Sequence, residues 1–424
     1  MKPDLAGALA GDEAPTRSPW ADRNVRLLWA ARVVSSFGDM LTFLALPMLV
    51  YDATGSTALL ASTVFARGIP AMLVSPFAGV LADRWDRRRV LVWTSLGCAV
   101  LTLPPVLVSE AWLLPTILVT VALKSVLASC FHPAMASVLP SLVAKDRLLA
   151  VNAAFSTSFQ TVVFLGPLAG SVLAVQGGMR SLLIVDAATF VVSAALLGAI
   201  TLRANPTPTP AAARTWRGLG ADLAEGLGWL RRSRLPLVLL GVGVVTSFGQ
   251  GFITPAWLPY LAQVLHQPPE RFGVLVGMQG LGLLLGSLLV MALGLRGRGA
   301  SPGLYALFLA GSGTAILMQA TTVHFGVLLA WGTLVGVLGA GRNVLGTTLL
   351  QQTVPAELMG RVASAMQFVG EGAHLLAVLV TTLAGDLVPV ATLFLVACSV
   401  WFVGCVGGAM FTLRLQRSPS PEAA

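Results

Sequence analysis

Charge is scarce in this sequence. Of 424 residues only 11% are Asp, Glu, Lys or Arg, while 56% are hydrophobic; soluble domains carry roughly 25% charge. A chain this poor in charge, with a mean hydropathy of +0.82, requires lipid as its solvent. Cysteine is also rare. Cys98, Cys130, Cys398 and Cys405 all lie inside or at the edge of apolar runs, which argues against a disulfide framework and for buried structural thiols. His132, His266, His324 and His374 show no metal-ligand spacing. Lysine occurs only at Lys2, Lys124 and Lys145. None of the three ends a Gly-x4-Gly loop, so ATP-driven transport within this chain is excluded. No Gly-x-Ser-x-Gly nucleophile turn occurs either. The expectation is a protein that is not an enzyme and needs no metal or cofactor.

What the sequence has in abundance is long apolar runs. Twelve fall at 26–50, 57–82, 90–108, 112–130, 151–176, 181–202, 236–261, 272–295, 303–318, 325–350, 362–383 and 388–413. About 20 residues of helix suffice to cross a hydrocarbon core of roughly 30 Å. The expected fold is all-α and integral to the membrane, with twelve transmembrane helices in two six-helix pseudo-repeats. A tail at 1–25 leads into a first bundle at 26–202; a linker at 203–235 precedes a second bundle at 236–413 and a tail at 414–424.

The net charge of +9 suggests nucleic acid until its placement is read. Of the 27 Lys and Arg, 21 lie in the termini and in the connections after spans two, four, six, eight and ten. That alternation is the positive-inside pattern. It places both termini in the cytoplasm, requires an even number of spans, and predicts a multi-pass protein of the cell (inner) membrane with no nucleic-acid partner. The first 25 residues are polar and mixed in charge, so no cleaved signal is expected.

The linker begins with Asn205-Pro206-Thr207-Pro208-Thr209-Pro210 and continues with Trp216, Leu219, Leu223, Leu227 and Leu230 at spacings of three and four. This reads as an amphipathic helix on the cytoplasmic surface, its apolar side in the membrane interface. The halves it separates match each other. Ser36-Phe37-Gly38-Asp39 before Leu46-Pro47 corresponds to Ser247-Phe248-Gly249-Gln250 before Leu258-Pro259. At nearly the same offset, Arg67-Gly68 faces Gln279-Gly280. Parallel six-helix repeats place a substrate site near mid-membrane between them. Gly277 to Gly286, the nearest thing to a nucleotide loop, lies within span eight and reads as a close-packing face.

The connection after span two reads Gly79-Val80-Leu81-Ala82-Asp83-Arg84-Trp85-Asp86-Arg87-Arg88-Arg89. It resembles the signature of the major facilitator superfamily, and the resemblance implies alternating access. By that resemblance Gly79 permits close helix approach, while Asp83, Arg84, Arg87 and Arg88 form a cytoplasmic charge latch. Asp86 stands where the family usually has a small residue. A solvated positive-inside anchor is the plainer reading, but an anchor has no need of Asp83. Phe131-His132-Pro133-Ala134, Asp186-Ala187-Ala188-Thr189-Phe190 and Gln351-Gln352-Thr353-Val354-Pro355 extend the resemblance to the twelve-span exporters similar to macrolide-efflux and enterobactin-export proteins. Gly166-Pro167-Leu168-Ala169-Gly170 is similar to the exporters' antiporter motif, with Val162 in place of its upstream glycine.

Ionisable residues inside spans mark function by default. Asp39 and Arg67 both fall near mid-membrane at about 1.5 Å per residue, and an ion pair between them is feasible. Their repeat counterparts Gln250 and Gln279 are both neutral. One reading makes Asp39 the proton carrier with Arg67 tuning its proton affinity; the other makes them a static pair joining spans one and two. Glu371, with His374 one turn away, is the competing carrier. Arg32 shares the face of Asp39. Lys124 and Arg342 have no partner by sequence and stand as contacts for an anionic substrate or as structurally paired bases. Asp186 reads as a packing residue near the outer end of span six. Gln250, Gln279, Phe37 and Phe248 complete the expected cavity wall.

The favoured function is a monomeric, proton-coupled exporter of amphipathic small molecules such as drugs or siderophore-like compounds. A lysophospholipid flippase is the second transporter reading. A non-transporting membrane sensor or scaffold is the alternative of another class, though no sizeable soluble output domain is present.

Overall fold

The computed structural model describes residues 19–84, 86–143, 148–201, 216–295 and 301–417, with side chains undescribed at 75–84, 149–150, 216–223, 294–295, 356–357 and 417. Helices account for the ordered elements among the described residues. The first half comprises α1 (Arg23–Thr54), α2 (Thr57–Arg84), α3 (Arg87–Thr102), the single turn α4 (Pro104–Leu107), α5 (Glu110–Leu142), α6 (Leu148–Gly177) and α7 (Met179–Gly198). After the linker helix α8 (Trp216–Arg232), the second half comprises α9 (Arg234–Gln263), α10 (Arg271–Leu295), α11 (Pro302–Thr321), α12 (Phe325–Thr353), α13 (Ala356–Ala384) and α14 (Val390–Arg417). Among the described residues twelve helices are long and apolar enough to cross a membrane, as a protein in lipid must satisfy its backbone within each span.

Local signals set the helix ends. Asp22 caps α1 by accepting from Asn24 N at 2.7 Å, and Gly55 ends it at φ 62°, donating to Tyr51 O at 2.7 Å. Only glycine takes that left-handed conformation at no steric cost. The run expected at 90–108 is not one helix. Pro104 and Pro105 remove backbone donors and clash with the preceding turn, so α3 stops at Thr102 and α4 follows.

The halves touch on the face away from the termini. Gln263 donates to the Tyr51 hydroxyl at 3.1 Å, Ser171 Oγ donates to Glu270 O at 2.7 Å, and Asp386 accepts from Ser56 Oγ at 2.5 Å and Ala58 N at 3.1 Å. The glycine-rich run of α10 serves as two packing faces. Gly277 and Gly280 lie on Phe164 and Leu168 of α6, while Gly282 and Gly286 lie on the α12 backbone at Thr333 and Val337.

One expectation is corrected for α8. Leu230 is fully buried, packed with Leu227 and Trp229 against Val354 and Val362 of the second half, so that end of the helix turns its apolar side to protein. Gly226 sits on the backbone carbonyl of Arg361, and Glu225 pairs with Arg361 at 2.7 Å. A fixed apolar partner was at hand, and burial against it removes the same area from water as lipid would. The side chains of Trp216, Leu219 and Leu223 lie outside the described ones.

Candidate functional site

Along α1, Arg32, Ser35, Ser36, Asp39, Thr42 and Phe43 follow the three-and-four spacing of one helical face. That face lines a cavity of about 820 Å³ between the halves. Arg67 reaches it from α2, Lys124 from α5, Gln250 from α9, and Glu371 and His374 from α13. Glu371 also borders a smaller cavity of about 210 Å³, beside Ser247 and Met366. Six of the sequence-selected polar residues on this wall (Arg32, Asp39, Arg67, Gln250, Glu371, His374) thus share one space with Lys124.

The structure does not close the expected pair of Asp39 and Arg67. Among the described residues no Lys or Arg nitrogen comes within 4.0 Å of the Asp39 carboxylate, and neither side chain makes a hydrogen bond. Both groups face the cavity instead. Asp39 lies in the field of Lys124 first, then of Asp186, Arg32 and Arg67.

The pair that does form is one the sequence reading kept apart. Lys124 Nζ lies 2.9 Å from Asp186 Oδ2 and 2.9 Å from Thr102 Oγ1. Thr42 Oγ1 donates to the same carboxylate oxygen at 2.5 Å, and Thr189 Oγ1 donates to Asp186 O at 2.7 Å. The Lys124 ammonium also stands 4.7 Å from the Phe190 ring centre. Helices α1, α3, α5 and α7 are therefore joined at one buried polar knot. Asp186 belongs to it because α7 begins at Met179, which moves the residue inward from the span end. Its placement as outer packing is corrected, and of the two readings of Lys124 the structure gives the paired base. The signal available was the acid itself: a carboxylate inside a span needs a cation, and few were on offer. Gly38 makes the knot possible, since a Cβ there would collide with Asp186 Oδ1 and Thr189 Oγ1.

Arg32 is held differently. Its guanidinium carbon is 5.9 Å from the Phe131 ring centre and 5.7 Å from that of Phe159. Gln250 donates to Thr254 Oγ1 at 3.0 Å.

Four expected cavity residues sit elsewhere. Gln279 packs at the seam of α10 and α12, next to Gly332 and Gly336. Arg342 lies 5.2 Å from the Trp401 ring centre in the second half and contacts Asn343 at 3.4 Å. Phe37 packs on the core, and Phe248 meets Phe252 edge-on at 5.1 Å. Helical period alone does not say which of several packed faces opens on the cavity.

In the latch segment, the side chains of Gly79, Asp83 and Arg84 lie outside the described ones. Asp86 caps α3 by accepting from Arg89 N at 2.8 Å, which accounts for an acid at that position. Arg87 donates to Ser137 O at 3.2 Å and Arg88 to Gly198 O, so both tie α3 to neighbouring helix ends. In the motif of span five, a Cβ on Gly166 would meet Met40 at 2.8 Å and one on Gly170 would meet Leu44 at 2.9 Å. Pro167 turns its carbonyl to Gly273 of α10.

Comparison with known proteins follows the same lines. The family model of the Major Facilitator Superfamily matches residues 28–248. The uncharacterized MFS-type transporter YfiS of Bacillus subtilis is 26% identical, covering 91% of this chain and 92% of its own. Macrolide efflux protein A of Streptococcus pyogenes is 22% identical over 80% of this chain and 83% of its own. The multidrug efflux pump Tap of Mycobacterium tuberculosis is 27% identical over 87% of each. Among solved structures, a point mutant of the nucleoside transporter NupG superposes with a TM-score of 0.70 at 11% identity, covering 91% of this chain and 99% of its own. A bacterial homologue of the iron transporter ferroportin, in an inward-facing state, gives 0.67 at 17% identity, covering 93% and 99%.

Proposed function

The chain belongs to the Major Facilitator Superfamily, and from that premise we propose that it exports amphipathic small molecules in exchange for protons, as a monomer working by alternating access. The observation that carries this reading is Asp39: a carboxylate on the wall of the central cavity, free of hydrogen bonds and ion pairs among the described residues, next to a lysine already committed to Asp186. An acid so placed can take a proton without first breaking a bond. Its charge state then changes the balance of charge in the cavity that Lys124, Arg32 and Arg67 share.

With the termini in the cytoplasm, the contacts between the halves seal the outer face. Substrate enters the cavity from the cytoplasmic side or the inner leaflet. A proton arriving at Asp39 from outside favours release of substrate there, and its departure to the cytoplasm resets the carrier. Arg67 tunes that exchange, while Glu371 and His374 form a second proton station on the opposite wall. The 79–89 segment stabilises one of the two conformations as a charge latch, and Gly166, Pro167 and Gly170 form the sliding contact of span five. The efflux names of the relatives support export as the direction.

The test is proton flux in proteoliposomes with a pH-sensitive dye inside. Candidate drugs imposed on wild-type protein should drive proton movement. Asp39→Asn should abolish it while leaving substrate binding in place, and Glu371→Gln should only reduce it. Full pH-dependent flux in Asp39→Asn would overturn the carrier assignment.

A further inference from the structure

We propose that the cavity takes amphipathic organic anions, molecules with an apolar or aromatic body and one oxyanion, and that Arg32 reads the oxyanion. The inference rests on the central cavity being the substrate site, and not on proton coupling.

Arg32 lies on the cavity face of α1, its guanidinium flanked by Phe131 of α5 and Phe159 of α6 at 5.9 and 5.7 Å. The two rings attract the cation and hold it in place, but they supply no lone pair for its five N–H donors. Among the described residues no protein acceptor takes those donors and no carboxylate lies within 4.0 Å. Asp39, about two turns along the same helix face, acts on Arg32 through space without forming an ion pair. Lys124 does not compete for an anion, since Asp186 neutralises it at 2.9 Å.

A planar fork near two aromatic rings and on the cavity wall suits two parallel hydrogen bonds to a carboxylate, phosphate or sulfonate. The rest of the wall suits an apolar body, with Phe43, Leu258 and Phe272 opening on the same space. Position decides between anion and cation: at the Arg32 end of the cavity the guanidinium is the charged group that faces the space, and Asp39 acts on it only through space. The same oxyanion could belong to a dissolved solute or to an anionic lipid headgroup entering from the bilayer.

Full-length protein in detergent is titrated calorimetrically with two matched pairs. One is 4-phenylbutyrate with 4-phenylbutyramide; the other is lysophosphatidylglycerol with lysophosphatidylcholine. In at least one pair the anion should bind about tenfold or more tighter, the scale of a charge-assisted hydrogen-bonded contact. Arg32→Gln should bring that ratio to within about twofold, Arg32→Lys should keep part of it, and Arg180→Gln, on a cation outside the cavity, should leave it unchanged. Preference only in the phenylbutyrate pair supports the proposal with a dissolved solute as source. Preference only in the lysolipid pair supports it with the membrane as source. Equal or absent binding within both pairs of the wild type overturns it, as does a preference that survives Arg32→Gln; the wild-type comparison decides even if the variant does not fold. No proton gradient is present, so failure of coupling in vesicles would leave this result standing, and the reverse also holds.

Discussion

Lys124 and Asp186 face each other at 2.9 Å with 12% and 0% of their side chains exposed. A pair this deep contributes less by its attraction than it would cost if broken, because one charge would be left without a partner in a low-dielectric interior. Lys124→Met and Asp186→Leu should each destabilise the protein by about 3–5 kcal/mol, while the double variant should recover most of that loss. Thermal unfolding of the three variants in one detergent, analysed as a double-mutant cycle, checks this. Additive losses would show that the two residues act independently.

Gly38 carries the same knot through its missing Cβ. The atom would overlap Asp186 Oδ1 and Thr189 Oγ1, two groups that are themselves tied down. Gly38→Ala should therefore cost about 1–3 kcal/mol as overpacking. Gly407, in α14, has open space where its Cβ would be. There Gly407→Ala should be neutral or stabilising by up to about 1 kcal/mol, the helix-propensity difference. Melting temperatures moving the same way in both variants would count against the packing account.

The frame of the molecule was legible from the sequence because lipid imposes a strong rule: about 20 apolar residues for each crossing, with arginines on alternate connections. Of the polar residues chosen for the cavity, those on the α1 stripe, Arg32 and Asp39, and two placed at mid-membrane level, Arg67 and Gln250, do line the central space. Others lie away from it, where the neighbour depended on helix rotation. Arg342 turned to Trp401 and Gln279 to the α12 seam, and no periodicity distinguishes a neighbour helix from a cavity. Asp186 was missed as a partner because a two-residue difference in the start of α7, an ordinary margin for a helix end, changed its apparent depth.

Asp386 joins the two halves on the face away from the termini. Its carboxylate accepts from Ser56 Oγ and Ala58 N at the start of α2, so the second half caps a helix of the first. Ser56 Oγ also accepts from Leu59 N at 3.0 Å, leaving the helix partly capped if Asp386 leaves. The site is exposed, so the loss should be near the lower end for a charged hydrogen bond, about 1 kcal/mol, or about a fivefold shift toward the state open on that face. Spin labels on Thr54 and Leu387, read by double electron–electron resonance in nanodiscs, should show a longer-distance population that grows in Asp386→Ala. An unchanged distribution would show that Asp386 does not hold this face closed and leave that role to the other contacts between the halves, Gln263 with Tyr51 and Ser171 with Glu270 among them.

An ion pair and an apolar contact both join α8 to the second half, and their magnitudes differ. The ion pair of Glu225 and Arg361 has side chains 50% and 43% exposed, so water and salt screen it and Glu225→Gln should cost less than about 1 kcal/mol. Leu230 is 0% exposed among Trp229, Val354 and Val362. Truncating it removes buried methyl groups and leaves a cavity, which costs about 2–5 kcal/mol for Leu→Ala. Leu230→Ala should accordingly release α8, seen as faster protease cleavage at the adjoining linker and faster amide exchange over 224–232, whereas Glu225→Gln should behave like wild type at about 150 mM salt. If the charge variant frees the helix and the leucine variant does not, electrostatics rather than apolar burial docks it, and α8 should then also detach as salt is raised.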